Sequence, residues 1–199
     1  MAKPGARKRL LEPFFARPLV ETMCPTGLEF CDTAAALADV LHESVPRPTA
    51  VVGVGNPLVG DDGFGPAVVA GLESGKVLHP FDVRGVPESF LGPIVASGCP
   101  GVLFVDAADL GAEPGRTAVV GADRLAEIDV STHVVSLGLM ADAICRLAAE
   151  EADGRDVCCA LLAVQPEGFD APDCLSAPVA AAVQRAVAAL NAFADAPSS

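Results

Sequence analysis

The sequence predicts an α/β fold, a mainly parallel, twisted sheet of about five strands with helices on both faces. From Thr49 onward, short β-rich runs alternate with longer segments that have helical periodicity. Most of the β-rich runs contain no polar residues, which is typical of strands that are buried on both faces. Strands of this kind belong to parallel sheets, because the helices that connect them cover both sides of the sheet.

The predicted strands are runs rich in Val, Leu, Ala and Phe, each followed by glycine, aspartate or glutamine. We predict them at 50–54, 81–84, 102–105, 117–120 and 157–164. Helical periodicity and residues that favour helix starts predict the segments between these strands. The predicted helices are 66–72, 90–97, 134–149 and 177–193.

Three of these helices have a recognisable start. Pro66 and Pro178 fall in the first turn of their helices, where proline is tolerated because its missing N–H has no partner there anyway. Ser131 or Thr132 is placed to cap the helix at 134–149. These signals fix the predicted boundaries better than periodicity alone.

Residues 1–48 differ from the rest and are predicted to be an N-terminal extension of unknown role, with residues 49–199 as the main domain. The extension carries six basic and six acidic residues, so the whole net charge of -13 lies in the main domain. A short helix is predicted at 33–42, and Pro46 and Pro48 break the chain after it.

Composition excludes several classes of function. A net charge of -13 would repel a phosphate backbone, so we expect no nucleic-acid partner. The sequence has no uncharged apolar run of about 18 residues, so we expect no membrane span. The seven cysteines include no Cys-x-x-Cys pair, and no apolar stretch follows Lys8 and Arg9. We therefore expect a cytoplasmic protein without a disulfide scaffold, a zinc knuckle or a secretory signal.

The loop at 55–65, GNPLVGDDGFG, is the first candidate site. It follows a strand that ends in Gly-x-Gly, but the third glycine of a dinucleotide fingerprint is replaced by Leu58. Asp61 and Asp62 would also oppose a pyrophosphate, and no Gly-Lys-Ser/Thr follows. The loop is better suited to a cation. The alternative is an acidic turn whose charges stabilise the start of the next helix.

Asp106 is the second candidate, at the end of the strand 102–105. Binding crevices of open parallel sheets form at the carboxyl ends of strands where the strand order reverses. If the first and third predicted strands flank that point, Asp62 and Asp106 face the same crevice. The alternative is an aspartate that only caps the following loop. Nearby Asp109 is expected to be solvated.

His133 is the third candidate, one of three histidines in the chain and placed at the start of a helix. A lone histidine there is more often a surface or capping residue. Beside two carboxylates it becomes a plausible third ligand of a borderline divalent metal such as nickel or zinc. No Gly-x-Ser-x-Gly or His-Glu-x-x-His occurs, so the sequence offers a metal site without a familiar protease nucleophile.

Five segments together resemble the nickel–iron hydrogenase maturation endopeptidases, in the order in which that family has them. The resemblance covers roughly residues 50–192 and makes 49–199 a hydrogenase maturation peptidase-like domain. The extension before residue 49 is not covered. The five segments are GNPLVGDDGFG at 55–65, LFVDAAD at 103–109, STHVVSL at 131–137, AVQPE at 163–167 and LSAPV at 175–179.

The resemblance implies a specific activity. Members of this family remove a C-terminal extension from the precursor of a hydrogenase large subunit after nickel has been inserted. The nickel is presented by the substrate, and no organic cofactor is implied. Carried over by position, the catalytic and metal-contacting residues are Asp62, Asp106 and His133. Some members have Glu where this chain has Asp62, and the shorter side chain bears on coordination distance.

Two other functions stay open at this stage. The first is a non-catalytic nickel-binding module of the same fold that acts as an assembly checkpoint and releases no peptide. The second is a nucleotide-binding α/β domain, which Leu58 and the aspartate pair disfavour. We also expect Asn56 to hold the 55–65 loop through its amide, and Asp61 to support the turn while Asp62 contacts the metal.

Overall fold

Six strands form a single sheet in the computed structural model, which describes residues 27–84, 86–121, 124, 132–151, 154–170 and 174–197. Their order across the sheet differs from their order in the chain. The strands are β1 Leu28–Cys31, β2 Thr49–Val54, β3 Leu78–Arg84, β4 Gly101–Ala107, β5 Thr117–Gly121 and β6 Cys158–Val164.

Within the described ranges, five helices cover the sheet, and two short 3-10 turns, Gly60–Gly63 and Pro87–Phe90, precede the second and third of them. The α/β prediction is therefore confirmed, with one strand more than expected. The helices are α1 Ala34–Ser44, α2 Phe64–Ala70, α3 Leu91–Ala96, α4 Thr132–Glu150 and α5 Ala177–Asp195.

The sheet runs in the order β1-β5-β6-β4-β2-β3. The four strands β3, β2, β4 and β6 are parallel to one another. Strand β5 pairs antiparallel with β6, and β1 pairs antiparallel with β5. From β2 the chain moves to β3 on one side and then crosses to β4 on the other. The strand order thus reverses between β2 and β4, which creates a crevice at the carboxyl ends of these two strands.

The hydrophobic core consists of two layers, one on each face of the sheet, and the central strand β4 contributes side chains to both. All seven residues of β4 are buried, and successive side chains alternate between the two faces. Leu103 and Val105 pack with α1, α2 and α5, whereas Val102 and Phe104 pack with α3 and α4. Burying each of these larger side chains contributes about 1.5–3 kcal/mol, so both helix layers hold the central strands in place.

Residues 27–48 are integral to this architecture. Strand β1 pairs with β5, and α1 packs beside α5 in the same core. The predicted helix at 33–42 is confirmed as α1, and Thr33 caps it by accepting the N–H of Ala36 at 3.2 Å. Strand β1 was not predicted, because four residues with an exposed, charged member give little β signal. Residues 1–26 lie outside the described part of the chain.

Helix α5 is long and apolar enough to span a membrane by length and composition, and it alone meets that test among the described helices. In the structure it is a core helix. Six of its residues are buried against the sheet and against α1 and α2. They are Val179, Ala182, Ala186, Ala189, Leu190 and Phe193.

Some predicted boundaries shift for local reasons. Strand β3 begins at Leu78, three residues earlier than predicted, because its pairing with β2 runs from Leu78 beside Thr49. The helix predicted at 66–72 begins at Phe64 and ends at Ala70, with Pro66 in its first turn as expected. The helix predicted at 90–97 is divided into the turn Pro87–Phe90 and the helix α3.

Candidate active site

The crevice between β2 and β4 is closed from one side by the start of α2. Gly65, in the first turn of α2, lies so close to the strand ends that a Cβ atom would overlap the carbonyl oxygens of Val54 and Val105. Only glycine allows this approach. It places the turn Gly60–Gly63, which carries two aspartates, directly at the mouth of the crevice.

Asp62 is the residue of this turn that belongs to the crevice. Its side chain is buried, and its Oδ2 accepts the backbone N–H of Asn56 at 2.6 Å. Gly55 precedes Asn56 with a φ of 117°, a left-handed value that side chains rarely adopt, and a Cβ there would overlap the Asp62 carbonyl. The loop therefore folds tightly around the Asp62 backbone.

Asp106 lies one residue before the end of β4 and is fully buried, with no exposed surface. Its Oδ1 accepts the N–H of Ala107 at 2.8 Å. Its Oδ2 has no hydrogen-bond partner among the residues that the structure describes. Burial and, to a smaller extent, the nearby charge of Asp62 raise the pKa of Asp106 to about 8, while the Ala107 N–H acts in the opposite direction.

The structure thus brings Asp62 and Asp106 together, as expected from strands that flank the reversal point. A buried carboxylate oxygen without a donor is costly, and a second carboxylate beside it increases the cost. Either a proton on Asp106 or a cation shared by both side chains would offset this energetic cost. Carboxylate oxygens suit divalent metals, so this pair is chemically suited to contact a metal ion.

Asp61 has the supporting role that the sequence suggested. It is buried, and both of its carboxylate oxygens accept hydrogen bonds from the loop between β6 and α5. Oδ1 accepts the N–H of Ser176 at 2.7 Å, and Oδ2 accepts the Ser176 hydroxyl at 3.0 Å. Oδ2 also accepts the N–H groups of Glu167 at 2.8 Å and Gly168 at 3.2 Å. With its acceptor sites used in this way, Asp61 joins two loops.

Gln165 joins a third loop to the same edge. Its Oε1 accepts the N–H groups of Leu110 at 2.6 Å and Ala112 at 3.2 Å, in the segment that leads from β4 to β5. Gln165 and Ser176 were not predicted to support the site, although both lie in the segments AVQPE and LSAPV. Their positions were the signal that could have identified them, because Gln165 directly follows β6 and Ser176 directly precedes α5.

Two smaller expectations are also confirmed. Asn56 holds its loop through its side chain, since its Oδ1 accepts the N–H of Leu58 at 3.0 Å. Asp109 is exposed, and its Oδ1 accepts the N–H of Gly111 within its own turn at 3.1 Å. At Gly55 and Gly65 the lack of a side chain allows close contact with the protein's own backbone.

His133 falls in the first turn of α4, which begins at Thr132. The side chain of His133 lies outside the described part of the structure, so its position relative to Asp62 and Asp106 stays a prediction. Among the described residues, no group of three histidine, cysteine or acidic side chains is arranged to hold a metal. The described part of the site is therefore the carboxylate pair.

Comparison with known proteins points to one family through structure. No protein-family model matches the sequence, and no functionally curated protein matches it. The crystal structure of the NiFe hydrogenase maturation protease HycI from Thermococcus kodakarensis KOD1 is 26% identical, with a TM-score of 0.62 over 80% of this chain and 96% of that chain.

Two further structures are similar. The crystal structure of a hydrogenase 3 maturation protease is 27% identical, with a TM-score of 0.53 over 68% of this chain and 84% of that chain. The hydrogenase maturating endopeptidase HybD from Escherichia coli is 20% identical, with a TM-score of 0.60 over 72% of this chain and 90% of that chain, and this likeness concerns the fold alone. In its sequence segments and its fold the chain is therefore similar to the nickel–iron hydrogenase maturation endopeptidases, and the likenesses at 26% and 27% identity support a processing peptidase.

Proposed function

We propose that this protein is a metal-dependent endopeptidase of the cytoplasm that removes the C-terminal extension of a nickel–iron hydrogenase large subunit after nickel insertion. The observation that carries the proposal is the buried Oδ2 of Asp106, which lacks a partner among the described residues beside the carboxylate of Asp62. The similarity to HycI, whose structure is that of a hydrogenase maturation protease, supports the class of substrate.

In this proposal the nickel belongs to the substrate, and the protein contributes the groups that contact it. Asp62 and Asp106 would hold it from the ends of β2 and β4, and His133 would contact it from the start of α4. When bound, the ion would supply a docking anchor, Lewis acidity at the scissile carbonyl, or an activated water. No organic cofactor is required.

The carboxylates also have a part in proton transfer. A carboxyl group with a pKa of about 8 holds a proton at neutral pH more readily than an ordinary aspartate does. Asp106 is therefore suited to exchange a proton with water or with the leaving amine, as a general acid–base group. Asp62 is held in place by the Asn56 N–H, which fixes the direction of its carboxylate at the crevice.

The test is cleavage of nickel-loaded precursor, followed by the mass of the large subunit. We expect the wild-type protein to release the C-terminal peptide and the Asp62→Asn, Asp106→Asn and His133→Ala variants to be slower by at least about 100-fold. Asp195→Asn removes an exposed carboxylate at the last residue of α5, at the opposite edge of the sheet, and serves as the control, with activity near that of the wild type.

Two results would count against the proposal. Cleavage at the wild-type rate by Asp62→Asn or by Asp106→Asn would remove these residues from the site. Binding of the nickel-loaded precursor without a change in its mass would instead favour the assembly-checkpoint module. Precursor without nickel should stay uncleaved, which tests the dependence on nickel separately from the choice of residues.

A further inference from the structure

Exposed apolar side chains are concentrated at the edge of the sheet that carries the two aspartates. Four of the seven large ones in the described residues, Leu58, Val59, Val86 and Phe169, lie on loops that follow β2, β3 and β6. The other three are Leu28, Leu139 and Leu147. Apolar side chains grouped in this way on a protein surface mark a site of interaction.

Leu58, Val59 and Phe169 lie on two loops that are joined by hydrogen bonds. The N–H of Asp61 donates to the carbonyl of Gly168 at 3.3 Å, and the N–H of Gly168 donates to Asp61 Oδ2 at 3.2 Å. Phe169 follows Gly168 directly, and Val59 is two residues before Asp61. These three side chains therefore flank the same turn from which Asp62 enters the crevice.

The surroundings of this apolar surface are negatively charged. Exposed acidic residues occur on the loops after β3, β4 and β6, namely Glu88, Asp109, Glu113, Glu167 and Asp170. Three described arginines reach these strand ends, and each has a partner. Arg84 pairs with Asp82, Arg116 pairs with Asp32, and Arg185 donates to the carbonyl of Gly115. An acidic rim attracts a partner that carries positive charge.

We propose that Leu58, Val59 and Phe169 form an apolar ledge that binds a segment of the precursor polypeptide beside the scissile bond, a segment with an apolar side chain and basic residues next to it. This inference rests on the proposed function and adds to it the chemistry of the bound peptide. The three residues position the substrate and take no part in bond cleavage. Their effect is on affinity, because they lie outside the crevice itself.

The experiment compares polar substitutions on the ledge with matched substitutions elsewhere. Leu58→Gln and Phe169→Gln, singly and together, are assayed with nickel-loaded precursor for KM, kcat and direct binding. Leu139→Gln and Leu147→Gln on α4 are the controls, because Leu139 is 70% exposed against 66% for Leu58, and Leu147 is 41% exposed against 42% for Phe169. Phe169→Leu tests whether any apolar side chain at this position is sufficient for binding the precursor.

We expect the double variant to raise KM by about tenfold or more, since it removes two apolar side chains that binding would bury. The kcat at saturating precursor should stay within about twofold of the wild type, the controls should be unchanged and Phe169→Leu should restore most of the affinity. KM should also rise with salt, because the rim charges are screened. A wild-type KM for the double variant, or a KM that does not change with salt, would overturn the inference.

Failure of the proposed function gives a different pattern. If the wild type binds precursor but releases no peptide, the function is wrong, and weaker binding by the double variant still supports the ledge. If the wild type neither binds nor cleaves precursor, both are wrong. Sedimentation of the same variants checks self-association, and a dimer of the wild type that is lost in the double variant would assign the ledge to a second copy instead.

Discussion

The carboxylate of Asp61 accepts both the N–H and the hydroxyl of Ser176, although 115 residues separate the two in the chain. This pair joins the loop after β2 to the loop before α5 next to the site. Because Asp61 is buried and also accepts the N–H groups of Glu167 and Gly168, its removal leaves several donors without an acceptor. The pair therefore holds in place the turn that carries Asp62.

Replacing Asp61 by alanine should lower the free energy of unfolding by about 3 kcal/mol or more, because buried N–H groups lose a charged acceptor. Urea unfolding monitored by circular dichroism measures this loss. Asp109→Ala, at an exposed aspartate with a bond only inside its own turn, is the control and should change stability by less than about 1 kcal/mol. Equal stabilities for the two variants would show that Asp61 has no structural role.

The sequence was sufficient to predict the crevice but not its interior. The apolar runs that became β2 and β4, and the rule that sites form where strand order reverses, brought Asp62 and Asp106 to one place. The complete burial of Asp106 and its raised pKa depend on β2 and β6 packing on either side of β4, which are long-range contacts. A local pattern contains no information of that kind.

The N-terminal part of the fold was harder to predict for a similar reason. Strand β1 exists because β5 offers an edge with which to pair, and the residues of β1 alone have little β preference. The turn Gly60–Gly63 was treated as loop, because its conformation depends on the close approach of Gly65 to two strand ends. The long, periodic helices α4 and α5 were predicted nearly in full, because their apolar faces repeat over several turns.

Gly65→Ala should destabilise the protein by about 2–4 kcal/mol, since the added methyl group would overlap the carbonyl oxygens of Val54 and Val105. Gly92→Ala in α3 is the matched control, because a Cβ there meets no atom within 4 Å and alanine favours helix. Thermal unfolding of both variants would measure the difference. The prediction is wrong if Gly65→Ala is as stable as Gly92→Ala.

Arg47 connects the segment before β2 to the C-terminal end of α5. Its guanidinium donates to the carbonyl oxygens of Phe193 at 3.1 Å, Ala196 at 2.6 Å and Pro197 at 3.0 Å, at the negative end of the helix. Arg47→Ala should therefore cost about 1–2 kcal/mol of stability, and Arg47→Lys should recover only part of it, because lysine lacks the planar fork. Lys76→Ala, at an exposed cation, controls for the loss of charge. Urea unfolding measures the free energy of unfolding of each variant. An Arg47→Ala variant as stable as the wild type would contradict the prediction.

Asp106 should make the metal-free protein less stable as the pH rises from about 4 to about 8. In the unfolded chain its pKa is near the ordinary value of 3.8, and in the folded protein it is about 8, so the folded state holds the proton more tightly. This contribution favours folding below pH 4 and is lost as the pH rises through 8. Asp106→Asn cannot titrate and should exceed the wild type in stability by about 3 kcal/mol or more above pH 8, with the difference in stability shrinking towards pH 4.

Urea unfolding of both proteins across this pH range, in the presence of a chelator, measures the difference in stability. Asp109→Asn is the control for the loss of one charge. A constant difference between Asp106→Asn and the wild type at every pH would show that Asp106 keeps an ordinary pKa in the fold.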